Sequence, residues 1–190
     1  SADRSLNRLT IDGDTSTNDT TILMANGQSG AKIINADHAA VFHSVLDEVL
    51  IEISRQLVRD GEGVTKLVDI VVKGAATDDD AYRIADTVAH SPLLKTAFFG
   101  QDANWGRIFM AVGRAGVDIN PDTIDVFFDD VMMVKDSFGR GEQAEKEATE
   151  VLKKPEFNLT IDLKMGHGHA SMLTCDFSVD YVKINADYRS

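Results

Sequence analysis

The chain has 190 residues with 31 acidic and 19 basic side chains, a net charge of −12, and 43% hydrophobic residues. That length allows one full domain or two small ones with a genuine core, and the negative field argues against a nucleic-acid surface or an anionic membrane. The single cysteine, Cys175, excludes an internal disulfide framework and an all-cysteine metal site.

In chain order, residues 1–30 are dominated by small polar groups, and Ile22-Leu23-Met24-Ala25 reads as a short buried strand between turn signals. No signal-peptide hydrophobic stretch opens the chain, and the start falls in mid-pattern, as a processed product or fragment would. From Asp37 to Arg59, apolar residues at Val41, Phe42, Val45, Leu46, Val49, Leu50, Ile53 and Leu57 recur every three or four positions. That spacing predicts a helix with one buried stripe, started by Asp37 and stopped by Asp60-Gly61. Lys66–Lys73 is rich in β-branched residues and reads as a strand. The acidic run Asp78-Asp79-Asp80 opens a second helix through His90, its charges suiting the positive end of the helix dipole. Pro92 ends that pattern.

The second half predicts a helix over Asn104–Ala115, strands over Thr123–Phe128 and Val131–Val134, and a helix over Glu142–Leu152 with a solvated charged face. Phe157–Leu163 alternates as a half-buried strand does, and Met172–Ile184 reads as a long extended stretch. This order predicts an α/β or α+β fold, with a weak domain boundary near 75–95.

Two loops stand out chemically. The run from Asp12 to Thr20 (DGDTSTNDT) lacks the spacing and terminal glutamate of a calcium loop. It is either an Asx- and Ser/Thr-rich turn satisfying its own backbone or a site wall beside a strand edge. In Asp60–Lys66 (DGEGVTK), two glycines flank Glu62 between a helix and a strand. The glycines permit unusual backbone angles or close approach, and the carboxylate either faces solvent in an ordinary connection or meets a cationic amine or proton-transfer water. His167 and His169 lack a third metal ligand at convincing spacing, and Cys175 falls in an apolar strand pattern as a buried small residue. No GxSxG elbow and no phosphate-binding loop is present.

These segments, NRLTIDGDTSTNDT ending at Thr20, DGEGVTK (60–66), SPLLKTAFFGQDANWGRI (91–108) and VKINADYRS (182–190), resemble those of the ornithine acetyltransferase, or bifunctional glutamate N-acetyltransferase, family of arginine biosynthesis. The resemblance is spread over the whole chain. It implies a self-processing acyltransferase-like layered fold with mixed sheets flanked by helices, plus a small C-terminal α/β domain. Residues 1–85 would belong to the main catalytic domain and 86–190 to the C-terminal domain, its end returning to the active site. The family's precursor cleaves itself before a threonine that becomes the nucleophile. This chain resembles most of the β chain, starting after that threonine, so neither Ser1 nor Thr10 takes its role and the fragment alone would be inactive.

By the same resemblance, Glu62 matches the family's glutamate at the substrate site, and Asn185 its substrate-contacting asparagine. Ser190 stands where the family usually has threonine; both hydroxyls donate and accept hydrogen bonds, and only the methyl is missing. Asp12, Thr17, Asn18 and Asn104 are expected to line the cleft. The implied reaction moves acetyl from N-acetylornithine to glutamate in a cytoplasmic α2β2 assembly with an α chain, without metal or cofactor, with acetyl-CoA as a further donor in some members. The rival readings are a self-processed amidase or aminopeptidase of the same architecture and a non-catalytic scaffold or interaction domain.

Overall fold

A computed structural model describes residues 1–188. Two 3-10 turns, Ala2–Arg4 and Leu6–Arg8, precede an exposed polar segment that leads into helix α1, Ala36–Arg59. Then follow β1 (Leu67–Ala75), α2 (Asp78–Ala89), α3 (Pro92–Phe99), α4 (Trp105–Gly113), β2 (Asp125–Phe128), β3 (Val131–Lys135), β4 (Phe138–Gly139), α5 (Glu142–Leu152), β5 (Glu156–Asp162), β6 (Gly168–Cys175) and α6 (Val179–Asp187).

The six strands form one mixed sheet in the order β4-β3-β2-β5-β1-β6. Only β1 and β5 run parallel within it; β1 pairs antiparallel with β6, as does β2 with both β3 and β5. The layered α+β architecture agrees with the fold class expected from the sequence.

Alternation along β1 sets the layers. Val68, Ile70 and Val72 enter a large core that also takes Ile84 and Val88 of α2, Ile108 and Val112 of α4, and Val151 and Leu152 of α5. Phe157, Leu159 and Ile161 of β5 belong to that core as well. On the opposite face, Leu67 joins Val58 at the end of α1 with Leu173 and Cys175 of β6 in a smaller cluster. Asp69, on this second face, lies 3.9 Å from Arg55 of α1.

The division expected between residues 85 and 86 falls inside α2. Strand β1 from the first part is hydrogen-bonded between β5 and β6 from the second, and one core contains residues from both. The weak composition boundary thus marks a helix-rich connection within a continuous sheet.

Other local expectations change too. Ile22, Leu23 and Met24 form no strand and are 71%, 68% and 87% exposed. Helix α1 forms as its periodicity demands, but Asn35 rather than Asp37 caps it, its Oδ1 accepting from His38 N at 2.9 Å. Its apolar stripe is largely uncovered: Val41, Val45 and Val49 are 67%, 54% and 50% exposed. Pro92 ends one helix and begins another, since its missing N–H is harmless at the first helical position. Beyond Cys175 the chain turns into α6 rather than continuing as a strand; Ser178 caps it by accepting from Tyr181 N at 3.1 Å. Among the described residues, no helix is long and apolar enough to cross a membrane.

Candidate functional site: a carboxylate-lined cleft beside β6

Helix α1 stops at Arg59, and Asp60-Gly61-Glu62-Gly63 turns the chain into β1. This loop is held from the far end of the sequence. Asp176, buried just after β6, accepts from Thr65 N and Lys66 N at 2.9 Å each through Oδ1, and from Thr65 Oγ1 at 2.6 Å through Oδ2. Such charge-assisted bonds are stronger than neutral ones. Ser178 Oγ donates to Gly63 O at 2.5 Å. Glu62 is exposed and projects from this fixed base.

The second wall comes from the amino-terminal segment. Leu9 bridges Leu173 in parallel, and Thr10 N donates to Leu173 O at 2.9 Å. The segment is therefore tied to the free edge of β6, satisfying backbone groups the sheet would leave open. Cys175 Sγ adds a contact to Ile11 O at 3.3 Å. After Ile11 the chain bends into the Asp12–Thr20 loop, where Asp12 Oδ1 accepts from Asp14 N at 3.0 Å and Ser16 Oγ from Asp19 N at 3.2 Å. These Asx- and Ser-type bonds make the loop a self-satisfied turn. It is a wall as well: Asp12, Asp14 and Asp19 join Glu62, His90 and Tyr181 around a cleft of about 580 Å³.

A buried cation underlies the cleft. Lys95 is 1% exposed, and its Nζ donates to Cys175 O at 2.7 Å and Thr174 Oγ1 at 2.9 Å while lying 4.6 Å from the Phe177 ring centre. Burial pushes its ammonium below the ordinary lysine value, and the nearby Cys175, Asp176 and Asp12 oppose that shift. Burial also raises the Cys175 thiol, which suits a structural role rather than that of a nucleophile. Tyr181 Oη donates to Asp12 Oδ2 at 3.2 Å; burial and the Asp12 carboxylate raise its phenol pKa, so it remains a proton donor at neutral pH.

Of the residues singled out in the sequence, Glu62 and Asp12 meet in this cleft. Thr17 and Asn18 lie in the same exposed loop, but the loop residues that line the cleft are Asp12 to Ser16 and Asp19. Asn104 is elsewhere: it caps α4 by accepting from Arg107 N at 3.1 Å and lines a separate groove with Trp105 and Glu145. Asn185 is exposed on α6 and donates from Nδ2 to Tyr181 O at 3.0 Å, within its own helix. Ser190 lies outside the described residues. Sequence reasoning missed Tyr181 and His90 as cleft residues. The cap Ser178 followed by Asp180 was the available signal that Tyr181 sits on a helix; nothing local pointed His90 toward Asp12. Among the described residues, no group of three or more His, Cys, Asp or Glu side chains is arranged to hold a metal ion.

The fold and this sequence have clear counterparts. The chain is 54% identical over 190 residues to the arginine biosynthesis bifunctional protein ArgJ of Geobacter sulfurreducens, covering 99% of this chain and 48% of that protein. It is 42% identical over 193 residues to the glutamate N-acetyltransferase of Methanocaldococcus jannaschii, covering 98% of this chain and 48% of that protein. The chain therefore spans about half the length of these curated relatives. The crystal structure of arginine biosynthesis bifunctional protein ArgJ from Bacillus halodurans superposes with a TM-score of 0.92 at 39% identity, over 98% of this chain and 89% of that one. With a model of the ArgJ family matching all of residues 1–190, the chain belongs to the ArgJ family.

Proposed function

We propose that this chain is the β-chain part of an acetyltransferase of arginine biosynthesis that moves acetyl from N2-acetyl-L-ornithine to L-glutamate. The observation that carries this reading is the cleft itself. Glu62 stands on a loop clamped by Asp176 and Ser178 and shares the cavity with Asp12, Asp14 and Asp19. Four carboxylates around one opening attract a cationic amine, as a diamino acid carries, despite being unsuited to an anionic ligand alone. The names of the relatives from Geobacter sulfurreducens and Methanocaldococcus jannaschii support the same assignment.

The nucleophile in this proposal is a threonine supplied by the part of the relatives that this chain does not span. Its hydroxyl oxygen attacks the acetyl carbonyl carbon, and hydrogen-bond donors steady the resulting oxyanion. Collapse breaks the amide C–N bond, and ornithine leaves with a proton on its α-nitrogen. The α-amine of glutamate then attacks the acetyl-threonine ester and returns the hydroxyl. Glu62 holds the ornithine amine or carries protons between the two half-reactions, while contact of Asn185 and Ser190 with the bound amino acid is carried over from the family resemblance alone. Bifunctional members add acetyl-CoA as a donor.

The exposed stripe of α1 supports association with a further chain, in this reading the α chain of an α2β2 assembly, because an apolar helix face of this length is otherwise left in water. Glu62→Ala in the assembled two-chain enzyme is expected to lower turnover by about 10²-fold with unchanged circular dichroism and assembly. Wild-type rates for that variant would overturn the role of Glu62. Release of free acetate in place of N-acetylglutamate would make the protein a hydrolase.

A further inference from the structure

Tyr181 stands at the junction of the two segments that build the cleft. Its ring stacks on Phe177, with centres 5.0 Å apart and planes at 17°. Phe177 is itself fixed from behind: its N donates to Lys95 O at 3.1 Å, and the Lys95 ammonium lies over its ring. The phenol is thus held in one orientation by packing, and that orientation aims its hydroxyl at Asp12 Oδ2. Asp12 spends its other oxygen on Asp14 N. One oxygen of this carboxylate therefore fixes its own loop and the other ties that loop to α6, whereas among the described residues no hydrogen bond ties down the Glu62 carboxylate.

We propose that Tyr181 is a positioning residue of the cleft: by donating its phenol proton to Asp12 it latches the Asp12–Thr20 loop to α6, and so sets the loop wall against which substrate is bound. The two partners are 169 residues apart in sequence, so their bond closes the cleft as neither segment can do alone. The Glu62 loop is drawn into the same unit, since Gly63 packs directly on the Tyr181 backbone and Ser178 bonds to Gly63 O. This inference rests on the reading of the cleft as the substrate site.

Tyr181→Phe keeps the stacking ring and removes only the donor. In the full-length protein it is expected to raise the KM for the N-acetylated diamino acid about ten-fold, with a smaller fall in kcat, since a hydrogen bond to a charged group is lost without loss of a reacting group. In an Asp12→Ala background the same substitution is expected to change KM by less than about two-fold, because the acceptor is already gone. Equal costs in both backgrounds, or an unchanged KM in the first, would overturn the latch. A second measurement does not depend on the reaction: the Asp14 amide, held by Asp12, exchanges its hydrogen several-fold faster in Tyr181→Phe, while amides in β1 keep their protection. If the wild-type protein fails to turn over N-acetylornithine, the proposed function fails, and this exchange measurement alone decides the latch; unaltered exchange at Asp14 then refutes it.

Discussion

At the scale of the residue, Gly63 shows how closely the cleft is built. Its φ is +67°, a left-handed conformation that costs a side-chain-bearing residue about 1 kcal/mol or more. A Cβ there would lie 2.4 Å from Tyr181 N and 2.8 Å from Tyr181 Cα, both backbone atoms that cannot rotate aside. Gly63→Ala is therefore expected to lose about 2–4 kcal/mol of stability by denaturant unfolding, and to push α6 off the Glu62 loop. A loss below about 0.5 kcal/mol would mean that the loop and helix separate freely. Two glycines around a glutamate were visible in the sequence as a sign of close approach. What approaches Gly63 is not a ligand but the protein's own α6, a contact that local spacing contains no information about.

At the scale of the element, local pattern and long-range packing part company in α1 and α6. The three-and-four spacing of apolar residues in α1 reports a helix with one apolar face, and the helix is there. It does not report what covers that face: among the described residues, only Ser54 and Val58 of α1 are buried. Val49→Glu, at a position half exposed, is expected to change the stability of this chain by no more than about 0.5 kcal/mol. In the proposed two-chain assembly the same charge would be buried against apolar surface, and dissociation measured by ultracentrifugation is expected to increase. Assembly indifferent to Val49→Glu would place the partner elsewhere. The error at α6 has a different origin. Val179, Val182 and Ile184 favour extended structure by their branched side chains, yet the cap at Ser178 and the stacking of Tyr181 on Phe177 outweigh that weak preference.

At the scale of the whole molecule, α1 is tied to the sheet by a charge cluster. Glu156 at the start of β5 accepts from Arg55 Nη2 at 2.9 Å and from Arg59 Nε at 2.5 Å. The Arg59 hydrogen bond foremost, with Arg55 beside it, holds the Glu156 carboxyl below its ordinary value. A carboxylate with a lowered folded-state pKa contributes stability that is complete above its unfolded value and is lost as pH falls through the folded one. Unfolding measured from neutral pH down through the carboxylate range should therefore show a steeper loss for wild type than for Glu156→Gln. Identical slopes would mean the cluster contributes nothing to the docking of α1, as many exposed ion pairs do.

The sequence by itself determined the helix over α1, the strand β1 through its β-branched run, the alternation of β5, the full extent of α5, and the family, through motifs spread along the chain. These are properties of neighbours within a few residues, where the helix and strand periods and the chemistry of caps act directly. Only the tertiary structure decided that residues 12, 62, 90 and 181 share one cleft, that Asn104 belongs to another groove, and that a single sheet crosses the expected domain boundary. Each of those depends on which distant strands pair: β6 lies at the sheet edge beside β1, takes the amino-terminal segment at Leu173, and leads through Asp176 into α6. Periodicity says that a surface is apolar or that a loop is polar, but the choice of partner follows from the global arrangement that satisfies backbone hydrogen bonds and buries the core together.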